Sequence, residues 1–189
     1  RQLSLGRGSL VITNLSTTGL VDAVAEKRGG RVIRVPVGRQ AAVDALMSFR
    51  ESDIAAAGEG TGAVMLPQFR FVYDGIASML SILSMMAERE ESLSAILAGY
   101  PRYSILKGRV PLASQNIPAL LMELEQEYSD GAVNSSNGLR VDWPGKWFHV
   151  RVAQTEPIVR VICEAKGAPP EDLFRTLMER VEQGPRRVF

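Results

Sequence analysis

Residues that make crosslinks and soft-metal centres are nearly absent: Cys163 is the only cysteine and His149 the only histidine among 189 residues. A single cysteine excludes an intrachain disulfide, and with one histidine beside it a cysteine- and histidine-based metal cluster is excluded as well. Cysteine used this sparingly fits a reducing compartment, so a cytoplasmic location is expected. Charge of one sign is missing too. Lysine and arginine number 22 against 21 acids, a formal net charge of +1, so no broad field recruits nucleic acid or an anionic membrane, and neither is expected as a partner. Any anion must be caught by a local arrangement. No apolar run approaches the length of a membrane span. Arg1 stands where an initiator methionine would, and the expectation is a piece of something longer.

What the first hundred residues do contain is an alternation of strand and helix signals. Residues 9–13 read as a buried strand, after which Asn14, Ser16 and Thr17 offer capping side chains to an apolar-periodic run through Leu20, Val21, Val24 and Ala25. Gly29-Gly30 ends that helix. Residues 31–35 form a second strand closed by Pro36-Val37-Gly38-Arg39, a helix face follows at Ala42, Val43, Leu46, Met47 and Phe49, and residues 53–57 make the third strand. This order indicates right-handed crossovers on a largely parallel sheet. Loops leaving the carboxyl ends of such strands share one rim, which brings Ser16 and Thr17, Arg39, and the loop after the third strand together.

That last loop is Gly58-Glu59-Gly60-Thr61-Gly62. Three glycines in five positions let the main chain come close to a ligand, and only a carboxylate and a hydroxyl project from it, groups able to accept from and donate to alcohols. A turn that merely ends a strand would have the same composition. Further on, Asp74 caps a helix whose stripe is Ile76, Met79, Leu80, Leu83 and Met86, its methionines expected as core filler. Gly99-Tyr100-Pro101 breaks a short helix begun by Ser92, and the domain boundary is placed there, giving an α/β domain over 1–99 and a second domain over 100–189.

The second domain reads as small α+β with an antiparallel sheet and flanking helices. An extended piece runs to Leu112, and a helix begun within 114–118 carries Ile117, Leu120, Leu121 and Leu124. Strands follow over 132–134, 139–143, 146–151 and 158–165, with a last helix through Leu173, Leu177 and Val181. The joint Arg151-Val152-Ala153-Gln154-Thr155-Glu156-Pro157 puts a guanidinium, an amide and a hydroxyl into one loop, an arrangement able to hold a phosphate in a chain of near-zero charge. A wide polar hairpin is the other reading of the same residues.

Taken in order, Asn14-Leu15-Ser16-Thr17-Thr18, Pro36-Val37-Gly38, Gly58 to Gly62, Asp74-Gly75, Gly138-Leu139-Arg140-Val141-Asp142 and Arg151 to Pro157 resemble the third and fourth domains of the α-D-phosphohexomutase family, of phosphomannomutase and phosphoglucomutase type. The resemblance implies movement of a phosphoryl group between the 1 and 6 positions of a hexose through a bisphosphorylated sugar. It implies that Glu59 and Thr61 bond the sugar hydroxyls, that Ser16 and Arg39 line the same cleft, and that Arg151, Gln154 and Thr155 hold the phosphate that is not reacting. Gly38, Gly58, Gly60 and Gly62 would shape the loops. The ligand would be a hexose phosphate or hexose 1,6-bisphosphate. The family's nucleophilic Ser-His motif and its Asp-x-Asp magnesium loop are both missing from this sequence. Mg2+ is therefore expected outside this chain, on the first two domains, which would be partners in cis or in trans, and the chain alone is expected to be inactive. Ala153, Gln154, Ala63 and Tyr73 depart from the family pattern.

Three functions compete at this point: the sugar-phosphate half of a mutase, a phosphosugar-binding module without chemistry, and a scaffold using the face other domains would cover. His149 between Phe148 and Val150 is expected as a packed or surface ring, and Cys163 as an inert thiol on the face of Val161 and Ala165. Trp143 and Trp147, flanking Pro144-Gly145, fit hairpin packing, and Arg186-Arg187 a solvated tail.

Overall fold

In a computed structural model the described residues are 8–67, 69–113 and 116–185, without the side chain of Arg39. The chain divides into two compact units, Arg1–Arg102 and Tyr103–Phe189, so the division falls after Arg102 rather than at the glycine break near residue 99. Ser114, Arg186 and Arg187 lie outside the described residues.

The first unit is built on a four-stranded sheet in the order β2-β1-β3-β4, from β1 (Leu10–Asn14), β2 (Arg31–Val35), β3 (Ile54–Gly58) and β4 (Val64–Met65). β1 pairs in parallel with both β2 and β3, as right-handed crossovers require, and only β4 is antiparallel. The crossovers are α1 (Leu20–Lys27) and α2 (Arg39–Met47). Ala42 and Leu46, one helical turn apart, press onto Leu10, Ile12, Ile54, Ala57 and Met65 to make the core of this unit. α3 (Gly75–Arg89) and α4 (Leu93–Ala98) complete it, capped by the side chains of Asp74 and Ser92.

Two expectations fail in this unit. Asn14, Ser16 and Thr17 do not cap α1, whose N-cap is Gly19; Thr18 Oγ1 accepts from Leu20 N at 3.1 Å, while Asn14 Oδ1 turns inward to its own loop. The reason is local competition: Asn and Ser/Thr side chains bond their neighbours' main chain as readily as a helix end. The stripe of α3 is also not core. Ile76, Met79, Leu80 and Leu83 are 69%, 54%, 56% and 52% exposed, and the helix buries no residue. Helical periodicity says that one face is apolar; it does not say what lies against it.

The second unit is a five-stranded sheet in the order β5-β9-β8-β7-β6, every pair antiparallel. Its strands are β5 (Tyr103–Pro111), β6 (Ala132–Asn134), β7 (Leu139–Trp143), β8 (Lys146–Val152) and β9 (Ile158–Lys166). α5 (Ile117–Glu127) and α6 (Glu171–Gln183) supply Leu120, Leu124, Leu177 and Val181 to a core with Val141, Phe148, Val150, Val161 and Cys163. Arg180 of α6 bonds Glu123 of α5 at 2.8 Å. Alternation along the strands sends the polar set to the other face. There Arg140 clasps Asp142 through two bonds of 2.7 and 2.6 Å and lies 4.0 Å over the Trp147 ring, whose Nε1 donates to Glu164 at 2.6 Å. Trp143 is on the core side, edge-on to Tyr128 and beside Phe148, so the two tryptophans belong to opposite faces.

The stripe of α3 gives this chain an exposed apolar surface, which should bind a hydrophobic dye. Replacing Leu80 and Leu83 together by Gln should cut dye fluorescence at least about twofold. Thermal stability should stay within about 0.5 kcal/mol of the parent, because neither residue is buried.

Candidate functional site

In the first unit the carboxyl rim of the sheet is tied together by hydrogen bonds around the ends of β1, β2 and β3, most of them from side chains to main-chain carbonyls. Thr13, at the end of β1, places its hydroxyl 2.8 Å from both the Gly58 carbonyl and the Thr17 hydroxyl, which donates to Asn14 Oδ1 at 3.0 Å. Asn14 Oδ1 also accepts from Ser16 N at 2.9 Å, folding residues 14–16 into an Asx turn. Arg34 of β2 fixes this loop from outside: its guanidinium donates to the carbonyls of Asn14, Thr17 and Thr18 at 3.1, 2.8 and 3.1 Å and pairs with Asp22. Arg34 was invisible to pattern reading, because nothing in a strand residue announces that its side chain will collect three carbonyls 16 to 20 positions back. Its one sequence signal is a charge at an interior position of the run Arg31-Val32-Ile33-Arg34-Val35.

The glycine-rich segment is the tip of the β3–β4 hairpin. Glu59 N donates to Ala63 O at 2.9 Å and Gly62 N to Glu59 O at 3.0 Å, closing a turn with Gly60 and exposed Thr61 at its centre. Gly60 lies close to the Ser16 loop: a Cβ there would stand 3.3 Å from Thr17 Cα and 3.5 Å from Ser16 O, so the two loops touch. Gly62 takes φ +93°, a conformation that side chains disfavour. The Glu59 carboxylate is half-buried and receives a hydrogen bond from Tyr73 Oη at 3.1 Å. Arg39 opens α2 immediately after Gly38, whose φ is +142°, placing its backbone at the end of β2. Ser16, Glu59 and Thr61 thus share one rim with the main chain of Arg39. Among the described residues no group of three or more His, Cys, Asp or Glu suits a metal ion.

In the second unit Arg151 is near the end of β8 and only 8% exposed, with Gln154 and Thr155 exposed in the β8–β9 loop. Ala153 N donates to Ile158 O at 2.9 Å, and Leu112 N latches Pro157 O at 2.8 Å, so the loop is pinned at its base and open at its tip. Gly138 allows β7 to begin against Arg151: its φ is +82°, and a Cβ would stand 2.3 Å from Val150 O and 2.6 Å from Arg151 Cβ. The ladder register discloses a residue that motif reading passed over. Arg160 of β9 is directly opposite Arg151, and Arg109 of β5 is directly opposite Arg160, so three arginines form one row across three strands. Arg151 Nε and Arg160 Nε are buried without a hydrogen-bond partner, and Arg160 reaches Glu156 at 3.4 Å. Burial first, then the Arg160 charge, lowers the Arg151 pKa from its ordinary value. Two opposed cations, of which only Arg160 is paired with an acid, are an arrangement that an anion stabilises.

His149 and Cys163 take no part in this chemistry. His149 is fully buried, its Nε2 bonded to Asn137 O at 2.7 Å, and burial lowers its pKa to about 4 against the pull of that carbonyl. Burial pushes the Cys163 thiol up to about 12, so it stays protonated and inert.

The first unit's mostly parallel α/β sheet and the second unit's antiparallel sheet with flanking helices define a two-unit α/β and α+β protein. Residues 2–103 match the family model for phosphoglucomutase/phosphomannomutase, alpha/beta/alpha domain III. The chain belongs to that family. It is 28% identical over 162 residues to a phosphoglucomutase/phosphomannomutase of Thermococcus kodakarensis, a match covering 85% of this chain and 35% of that protein. It is 28% identical over 181 residues to a phosphoglucosamine/phosphogalactosamine mutase of Sulfurisphaera tokodaii, covering 92% of this chain and 38% of that protein. It therefore spans little more than a third of the length of these curated relatives. Among solved structures, a phosphoglucomutase/phosphomannomutase family protein from Burkholderia thailandensis superposes with TM-score 0.73 at 24% identity, over 99% of this chain and 41% of that one. The N-acetylphosphoglucosamine mutase of Aspergillus fumigatus, in complex with GlcNAc-6P and magnesium, superposes with TM-score 0.67 at 17% identity, over 96% and 41%. These two likenesses carry the fold. No described helix is long and apolar enough to cross a membrane.

The buried neutral imidazole sets a pH dependence. Unfolded His149 titrates near 6.5 and folded His149 near 4, so the unfolded state binds the proton first as pH falls. Stability fully present above pH 6.5 should decline between 6.5 and 4 by up to about 3 kcal/mol. In His149→Gln, which keeps an N–H for Asn137 O, urea midpoints measured across that window should lose this component. A second variant, Gly138→Ala, should cost about 2–4 kcal/mol in thermal unfolding, through the left-handed backbone and the carbonyl contact together.

Proposed function

We propose that this chain is the sugar-phosphate-binding portion of a phosphohexomutase, an enzyme that interconverts hexose 6-phosphate and hexose 1-phosphate through a bisphosphorylated intermediate. On this reading Arg151, with Gln154 and Thr155, holds the phosphate that is not reacting, and Arg160 adds a second guanidinium beside Arg151. Glu59 and Thr61 bond the sugar hydroxyls, and Ser16 and Arg39 line the same surface. The phosphorylated nucleophile and Mg2+ belong to domains I and II, in the same polypeptide or in trans, so the 189-residue chain alone does not turn over.

The observation that supports this most is Arg151 itself. A guanidinium that is mostly buried, has an unpaired Nε and faces another arginine costs stability unless an anion is the reason for it. A doubly charged phosphate monoester is matched by two planar donor forks side by side. The division of labour is physically coherent. A clamp that reads only phosphate does not distinguish which end of a hexose carries it, as transfer between the two ends requires.

The second reading, a phosphosugar-binding module without chemistry, shares every contact above and differs only in lacking a catalytic partner. Adding separately produced domains I and II and assaying hexose-phosphate isomerisation distinguishes the two: turnover supports the mutase, and tight binding with no turnover supports the module.

Removing the Arg151 contact should weaken binding of glucose 1-phosphate by roughly ten- to a hundredfold in Arg151→Ala, the worth of one charge-assisted hydrogen bond, measured by calorimetry. An unchanged affinity would remove the phosphate role from this loop. Glu59→Gln should keep the fold and alter the ratio of affinities for glucose 1-phosphate and mannose 1-phosphate, since the amide is a weaker acceptor of the same shape.

A further inference from the structure

Glu59 is the one acidic side chain on a loop of three glycines, and main-chain bonds fix only its backbone. A glutamate has three torsions beyond Cα, so an unsupported carboxylate must be ordered each time a ligand binds, at a cost in side-chain entropy. The structure supplies the support from outside the loop. Tyr73 Oη donates to Glu59 Oε1 at 3.1 Å, fourteen residues along the chain.

Tyr73 is itself held in three ways. Its ring packs against the cluster that contains Leu10, Ala57 and Met65. The next residue, Asp74, donates its N–H to Val64 O at 3.1 Å, and Val64 is the ladder partner of Gly58, the residue before Glu59. The Asp74 carboxylate then accepts from Ala77 N at 2.9 Å, anchoring the segment to α3. The hydroxyl therefore sits at a fixed distance from the hairpin whose tip carries Glu59.

We infer that Tyr73 is the positioning residue for Glu59: by engaging Oε1 it sets the plane of the carboxylate and leaves Oε2 to accept from a hydroxyl of a phosphorylated hexose, so that sugar discrimination belongs to the pair. The inference rests on the sugar-reading role proposed for Glu59. A phenol suits the task because it is a neutral donor. It orients the carboxylate without cancelling its charge, whereas an arginine or lysine in its place would compete as a counter-ion for the acceptor that the ligand needs.

Tyr73→Phe tests this, since the ring and its packing remain and only the donor is lost. Without ligand, carbon relaxation of the Glu59 side chain should report an ordered γ-methylene in the parent and a more mobile one in Tyr73→Phe; equal order in both overturns the inference. With ligand, the ratio of affinities for glucose 1-phosphate and mannose 1-phosphate should change by roughly three- to tenfold, because the carboxylate is misoriented rather than removed. Affinity for inorganic phosphate and the melting temperature should not move, as they would if Tyr73 were merely structural. In a Glu59→Gln background the same substitution should have little further effect. A ratio that responds to Glu59→Gln but not to Tyr73→Phe sinks the inference and leaves the sugar-reading role standing. A ratio that responds to neither sinks both.

Discussion

Two arginines on directly opposed residues of neighbouring strands repel each other, and the antiparallel ladder between β8 and β9 holds them there regardless. The remainder of the second unit can be understood as what makes that tolerable. One face of the sheet is sealed by α5 and α6 over Phe148, Val150 and Val161, so the strands cannot slip by one residue without burying arginine in the helix interface. Gly138 brings β7 up against Arg151, and Leu112 N pins the loop at Pro157, which leaves the tip of the hairpin as the part able to adjust to a bound group. The hydrophobic core holds this repulsion in place.

The first unit solves a different problem with different means. Its loops carry hydroxyls and one acid rather than cations, and they are tied to each other through main chain: Gly60 on Thr17, Thr13 on Gly58, Arg34 on three carbonyls. Such bonds leave the side chains of Thr61 and Glu59 out of the framework, apart from the single contact of Tyr73. A surface that reads neutral hydroxyls needs orientation more than charge, because neutral hydrogen bonds are individually weak and are specific only when their geometry is set beforehand.

Much of this was legible in advance. The strand–helix alternation, the parallel sheet and the antiparallel α+β sheet follow from periodicity and turn residues, and the order of six short motifs pointed to the family that residues 2–103 match. What failed did so where a residue had two comparable local options. Asn14 was as able to close its own loop as to cap α1, and the apolar stripe of α3 stated a need for cover without naming the cover. Arg160, Arg34 and Tyr73 were missed for a single reason: each acts on a residue distant in sequence, and no short-range pattern encodes that.

The sequence by itself determined the chemistry available: near-zero net charge, one inert thiol, one histidine, a glycine-rich loop with a carboxylate and a hydroxyl, and a loop with a guanidinium. It determined the elements too, because helix and strand periods are properties of residues a few positions apart. Only the tertiary structure decided which groups act together. Register put Arg160 across from Arg151, sheet order put Gly60 on Thr17, and packing put a phenol beside Glu59. Those are relations between residues 9 to 43 positions apart, and they are fixed by burying one face of each sheet, a constraint that exists only once the chain has folded.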